Sequence, residues 1–224
     1  MKRLFLGIPL PEEVKEKIKL LLREISALGG DFSFVPVNNL HITVQFLGDV
    51  AETEIPSLSE KVSVVLRNHH PFSASIQGVG AFPRPERIAV LWGGVQCPEL
   101  LPLLKDVHEA LDYAEKSRKT LSLDSGMNAS LSAFLASQKS AYHKKRFRRI
   151  SHDIRKEERE DVPHVTLLRV KSGRKQGKLQ HLLQKVQKLR FGKMMIDRVV
   201  LYESHLLPEG PVYKVVKEFT FGAQ

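Results

Sequence analysis

VPHVTLLRV (residues 162–170) sets a His, one apolar residue and a Thr inside a run rich in β-branched and apolar residues, and LHITVQFLG (residues 40–48) repeats the pattern. That composition argues for a buried strand rather than a helix. In a strand, residues i and i+2 point to the same face, so His41 projects with Thr43 and His164 with Thr166. Two such strands side by side place two imidazoles and two hydroxyls in one cleft. Imidazole titrates near neutrality, so one ring can accept a proton while the other donates one. The hydroxyls can hold an anionic oxygen. This is enough for in-line displacement at phosphorus without a metal. One HxT triplet is a weak signal, because a lone strand His is more often a satisfied core residue. Two copies read as an internal duplication that brings equivalent strands to a shared axis.

Outward from these strands, RLFLGIP (residues 3–9) reads as a strand. Pro11, Glu12 and Glu13 then open a helix whose inward residues are Val14, Ile18, Leu21, Leu22, Ile25 and Leu28, and Gly29 and Gly30 stop it. DFSFVP is a short strand, a second helix spans about 52–67, and FSASIQGV (72–79) and IAVLWGGV read as strands separated by a turn at FPRPER. LLPLLKDVHEALDYA is a third helix and LQHLLQKVQKL a fourth. FGKMMIDRVVLYESHLL is a strand pair, and VYKVVKEFTF alternates as the last strand. The pattern is α+β: two similar lobes of antiparallel sheet, helices on the outer faces, motif strands lining a central cleft.

The chain has 224 residues and 42% hydrophobic content, enough for one sizeable core or two lobes sharing one. No apolar run approaches the ~20 residues that span a membrane. MKRLFLGIPLPEE lacks the long apolar core and cleavage site of a signal peptide and reads as a first strand. Cys97 is alone, which excludes an internal disulfide framework and a thiolate metal cluster and fits a reducing, cytoplasmic setting. The formal charge of +10 suits a polyanionic partner such as RNA, or simply solubilises the surface. His108 sits among Leu104, Val107 and Leu111 and reads as a packing residue. His69 and His70 in a loop, His181 on a polar helix side and His205 in the closing hairpin receive no catalytic role.

HITVQFLG and HVTLLR resemble the two signature motifs of the 2H phosphoesterase superfamily, most closely its RNA 2′,3′-cyclic phosphodiesterase (2′-5′ RNA ligase) branch. RLFLGIPLPEEV, GAFPRPERIAVLWGGV and LYESHLLPEGPVYKVVKEFTF resemble that branch's first strand, central hairpin and closing hairpin. The resemblance covers roughly residues 1–113 and 161–224. It implies a LigT-like fold and hydrolysis of RNA 2′,3′-cyclic phosphate ends, such as those of tRNA fragments, to 2′-phosphomonoesters, with reverse 2′-5′ ligation as a secondary activity. It implies His41 as acid, His164 as base, and Thr43 and Thr166 on the non-bridging oxygens. The expectation is a monomer that needs no metal, cofactor or membrane. It also places an Arg near the phosphate, here Arg169. Arg169 lies five residues after His164, so strict alternation turns it away; a bulge or strand end is needed to bring it in. Phe46 holds the equivalent offset after His41 and either stacks on a nucleobase or packs in the core. The rivals are a non-catalytic RNA-end-binding module, and a 2H enzyme for a small cyclic phosphate. Two proton-transfer groups argue against the first; the charge leans against the second.

Residues 115–160 depart from the family pattern and read as a basic insertion in one bilobal domain spanning 1–224. They hold twelve Lys and Arg against six Asp and Glu, with HKKRFRR at 143–149. An RNA-contacting arm and a solvated decoration explain that charge equally well.

Overall fold

The computed structural model describes residues 1–121, 162–172, 176–207 and 210–222, with residues 112–121 as backbone alone. The chain divides into two units, Met1–Ala110 with Val162–Gln224, and Leu111–Asp161. In chain order the elements are β1 (Lys2–Pro9), α1 (Glu12–Ala27), β2 (Phe32–Phe34), β3 (His41–Val50), α2 (Ile55–Leu66), β4 (Phe72–Arg84), β5 (Arg87–Gln96), α3 (Leu100–Leu121), β6 (His164–Val170), α4 (Gln176–Val186), β7 (Arg190–Ile196), β8 (Arg198–Leu207) and β9 (Gly210–Thr220).

Local chemistry explains most of these boundaries. Pro11 precedes α1 in extended conformation, Glu12 and Glu13 face the helix dipole, and Val14, Ile18, Leu21, Leu22 and Ile25 form its buried stripe. The helix ends where Gly29 takes φ 66°, and the Gly29 N–H donates to the Ser26 carbonyl. Each fully buried Leu or Ile contributes about 1.5–3 kcal/mol. The stripe therefore holds α1 against β7, as similar stripes hold α2 against β9 and α4 against β4 and β5.

The strands form one 9-stranded sheet in the order β7-β4-β5-β6-β3-β1-β8-β9, with β2 paired to β6. Every pairing is antiparallel. The two expected lobes are thus the two halves of a single sheet, and the motif strands β6 and β3 are neighbours at its centre. Ile42, Val44, Val165, Leu167 and Leu168 are all buried, which fixes the core-facing side of both strands.

Two boundaries differ from the sequence reading. FPRPER is not a turn throughout: β4 runs to Arg84 and β5 begins at Arg87, leaving only Pro85 and Glu86 between them. Pro83 is tolerated because it pairs with Ile88 beside a register shift, beyond the part of β4 that pairs with β7, where no ladder N–H is required of it. The third helix also continues to Leu121, past the expected start of the insertion at 115. The basic run at 143–149 lies outside the described residues.

Candidate active site

β3 and β6 meet at one paired position, Ile42↔Val165. Carrying that antiparallel register one residue each way sets His41 opposite Thr166 and Thr43 opposite His164. Directly opposed residues have Cβ atoms about 4.5–5.5 Å apart. The four residues singled out by the HxT pattern therefore come together on one face of the sheet, each His beside its own Thr and across from the other strand's Thr.

The two imidazoles are held alike. The His41 Nδ1 lies 2.7 Å from the Asn39 carbonyl oxygen, and the His164 Nδ1 lies 2.9 Å from the Val162 carbonyl oxygen. A carbonyl only accepts, so in both rings Nδ1 carries the proton and Nε2 is the nitrogen left outside that bond. The Thr43 hydroxyl is 3.2 Å from the His41 Nε2 and donates to it when that nitrogen is unprotonated.

Arg169 reaches this face by a bulge. Leu91 pairs with Leu168 but Trp92 pairs with Thr166, so Leu167 is an extra residue in β6. Leu167 and Leu168 both point into the core, and the alternation then resumes with Arg169 on the His164 side. β3 has the same device at the same offset. Leu6 pairs with Gln45 and Gly7 with Thr43, so Val44 is extra, and Phe46 pairs with Phe5 on the His41 side. Phe46 is 69% exposed, which overturns its reading as a core residue. Its ring centroid lies 6.2 Å from that of Phe5.

Aromatic side chains surround both imidazoles. Around His41 stand Phe5 at 4.8 Å, Tyr213 at 5.5 Å edge-on and Tyr202 at 6.4 Å; around His164 stand Phe82 at 5.2 Å and Trp92 at 6.3 Å. Two glycines make room. A Cβ on Gly7 would come within 3.0 Å of the His41 ring, and one on Gly80 would collide with the Trp92 indole. The Tyr213 strand is tied down near His41 by a 2.6 Å hydrogen bond from the Asn39 amide to the Pro211 carbonyl. This enclosure lowers the His41 pKa: burial dominates, the hydrogen bond to Asn39 works against it, and the nearby His164 adds to it. Burial likewise raises the Tyr213 pKa, while the Arg169 and Arg3 guanidinium groups pull it back down. Arg3 was not singled out from the sequence, since a lone Arg near a chain start carries no motif. Its place here comes from β1 lying beside β3.

Other histidines are occupied elsewhere. His108 bonds the Val44 carbonyl at 2.8 Å, His69 lies 3.1 Å from the Asp106 carboxylate, and His205 lies 3.4 Å from the Glu203 carboxylate. Among the described residues no group of three or more His, Cys, Asp or Glu side chains is placed to hold a metal ion. None of their helices is long and apolar enough to cross a membrane.

Residues 8–92 and 138–213 match the family described as LigT-like phosphoesterase. The protein named RNA 2′,3′-cyclic phosphodiesterase from Methanothermobacter thermautotrophicus is 30% identical over 217 residues, covering 97% of this chain and 97% of the relative. The protein of that name from Archaeoglobus fulgidus is 31% identical over 218 residues, covering 97% and 99%. The crystal structure of TT0787 from Thermus thermophilus superposes with a TM-score of 0.69 at 23% identity, covering 99% of this chain and 100% of that one. That of E. coli LigT complexed with NADP+ superposes at 0.62 and 18% identity, covering 99% of each. At such identities both structures speak to the fold alone. The antiparallel sheet, its outer helices and these matches agree: the chain belongs to the LigT-like phosphoesterase family and is a phosphoester-cleaving hydrolase.

Proposed function

We propose that the protein hydrolyses RNA 2′,3′-cyclic phosphate ends to 2′-phosphomonoesters by acid-base catalysis between His41 and His164. The observation that carries this reading is the matched pair of imidazoles. Each Nδ1–H is held by a carbonyl two residues upstream, which leaves each Nε2 for proton transfer, and the His41 Nε2 lies beside the Thr43 hydroxyl. His164 takes a proton from water as the water oxygen bonds to phosphorus. The P–O3′ bond breaks, and His41 protonates the departing 3′ oxygen. Thr43 and Thr166 donate to the non-bridging oxygens, which gain charge in the transition state, and Arg169 adds a cation to the same anion. In the free site, burial keeps His41 neutral. The negative phosphodiester opposes that effect, so the acid form becomes available as substrate binds.

Exposed Phe46 serves as a stacking face for a nucleobase next to the cyclic phosphate. The same path, with the 5′-hydroxyl of a second RNA replacing water, forms a 2′-5′ bond as a minor activity. One chain supplies every residue named, so a monomer suffices. The lone, buried Cys97 is compatible with a reducing cytoplasm. The deciding experiment incubates the protein, in excess chelator, with a short RNA ending in a 2′,3′-cyclic phosphate. The expected product is the 2′-phosphomonoester. A 3′-phosphomonoester would reverse the assignment of the leaving oxygen, and turnover that appears only when a divalent ion is restored would sink the metal-free mechanism.

A further inference from the structure

The backbone carbonyls of the two extra residues, Leu167 and Val44, have different partners. In β6 the carbonyl of the extra residue, Leu167, accepts from the Val35 backbone N–H at 3.0 Å. In β3 the carbonyl of the extra residue, Val44, lies 2.8 Å from the Nε2 of His108, a side chain on α3. Because a carbonyl only accepts, His108 carries its proton on Nε2, the opposite tautomer to His41 and His164. Its donor is already engaged in this bond.

We infer that His108 is a positioning residue, which holds the β3 bulge and thereby keeps Phe46 on the His41 face of the sheet. The extra residue at Val44 is what shifts the alternation so that Phe46, rather than Gln45, pairs with Phe5 on that face. Val44 itself is 3% exposed, so water has little access to its carbonyl. Without the imidazole donor, that buried acceptor loses its side-chain bond, and the strand gains by sliding back to regular pairing. Such a slip turns Phe46 away from the cleft and strains Thr43, two residues from His41. The Leu167 bulge feels none of this, since its donor is backbone.

The catalytic half of the test rests on the cyclic-phosphate reading above; the structural half does not. Wild type, His108→Leu and His108→Gln are compared by amide hydrogen exchange over residues 41–50 and 164–170, and by kcat and KM on an RNA ending in a 2′,3′-cyclic phosphate. His108→Leu is expected to speed exchange at residues 45–47 by about tenfold or more, with 164–170 unchanged. KM rises about tenfold and kcat falls less. His108→Gln, which keeps an N–H donor at similar reach, returns both readouts to within about threefold of wild type. Adding His108→Leu to Phe46→Ala then changes KM little further, because the residue it positions is already gone. Unchanged exchange at 45–47 in the Leu variant, or equal acceleration in both strands, overturns the inference. A wild-type protein inert on the cyclic phosphate would defeat the functional reading, and hydrogen exchange would still decide the role of His108.

Discussion

β3 and β6 share a backbone plan and differ in what it presents. Both start on a His whose Nδ1–H is bound by a carbonyl two residues back, both place a Thr two residues on, and both insert an extra residue at the third position after the His. At the fifth position the shared bulge turns a side chain onto the face of the sheet that carries the His residues: a ring in β3, Phe46, and a guanidinium in β6, Arg169. The surroundings differ too. His41 is crowded by Phe5, Tyr202 and Tyr213 and its pKa is lowered, whereas His164 stands by Phe82 and Trp92. On the proposed function, a repeated strand plan keeps proton-transfer geometry symmetrical while dividing binding between its two copies. On the functional reading above, one half meets the base and the other the phosphate.

The largest effect falls on what the halves have in common. His41→Ala and His164→Ala should each lower kcat by about 10²–10⁴-fold, with thermal unfolding close to wild type. Combining them should cost little more than either alone, as for groups that act as a unit. A variant that keeps wild-type turnover breaks the symmetry at its root.

Next come the hydroxyls. Thr43→Val and Thr166→Val should each reduce kcat by about 10²-fold with a smaller change in KM. Unequal losses would mean that the two hydroxyls do not face the same phosphate oxygens.

The fifth-position pair sharpens the contrast. Arg169→Met should cost about 10- to 100-fold in kcat/KM on any cyclic phosphate, the loss of a charge-assisted bond. Phe46→Ala should act through KM, by about 1–3 kcal/mol on substrates with a base to stack, and leave a base-free cyclic phosphate unaffected. Equal sensitivity of both substrates to both changes would refute the division of labour.

The smallest effect is a titration. Burial favours the uncharged ring, so the His41 imidazole of the free protein should titrate below the ordinary histidine value and be neutral at pH 7. Saturation with a 2′-phosphomononucleotide should raise its pKa, because the bound anion favours the charged ring. NMR of the labelled ring measures both. An ordinary value in the free protein would remove burial as the control on His41.

The sequence by itself determined the elements and the nominees. β-branched composition and period-two spacing made HITV and HVTL strands, helical spacing of Val14, Ile18, Leu21 and Ile25 made α1, and the repeated HxT pointed to a paired site. These signals are local, so they survive without a partner in view. It also showed that Arg169 needs a bulge, but not where the bulge lies, because an extra residue is defined only against the strand it faces. Tertiary structure alone decided that both lobes share one sheet through Ile42↔Val165, that Leu167 and Val44 are the extra residues, and that Phe46 is exposed rather than core. It alone brought Arg3 and Tyr213 to the His41 side and joined His108 to Val44 across 64 residues of chain. Hydrogen bonds and register between distant segments leave no periodic trace in either segment, and that is why the candidate site's residues could be nominated from the sequence while the devices that aim them could not.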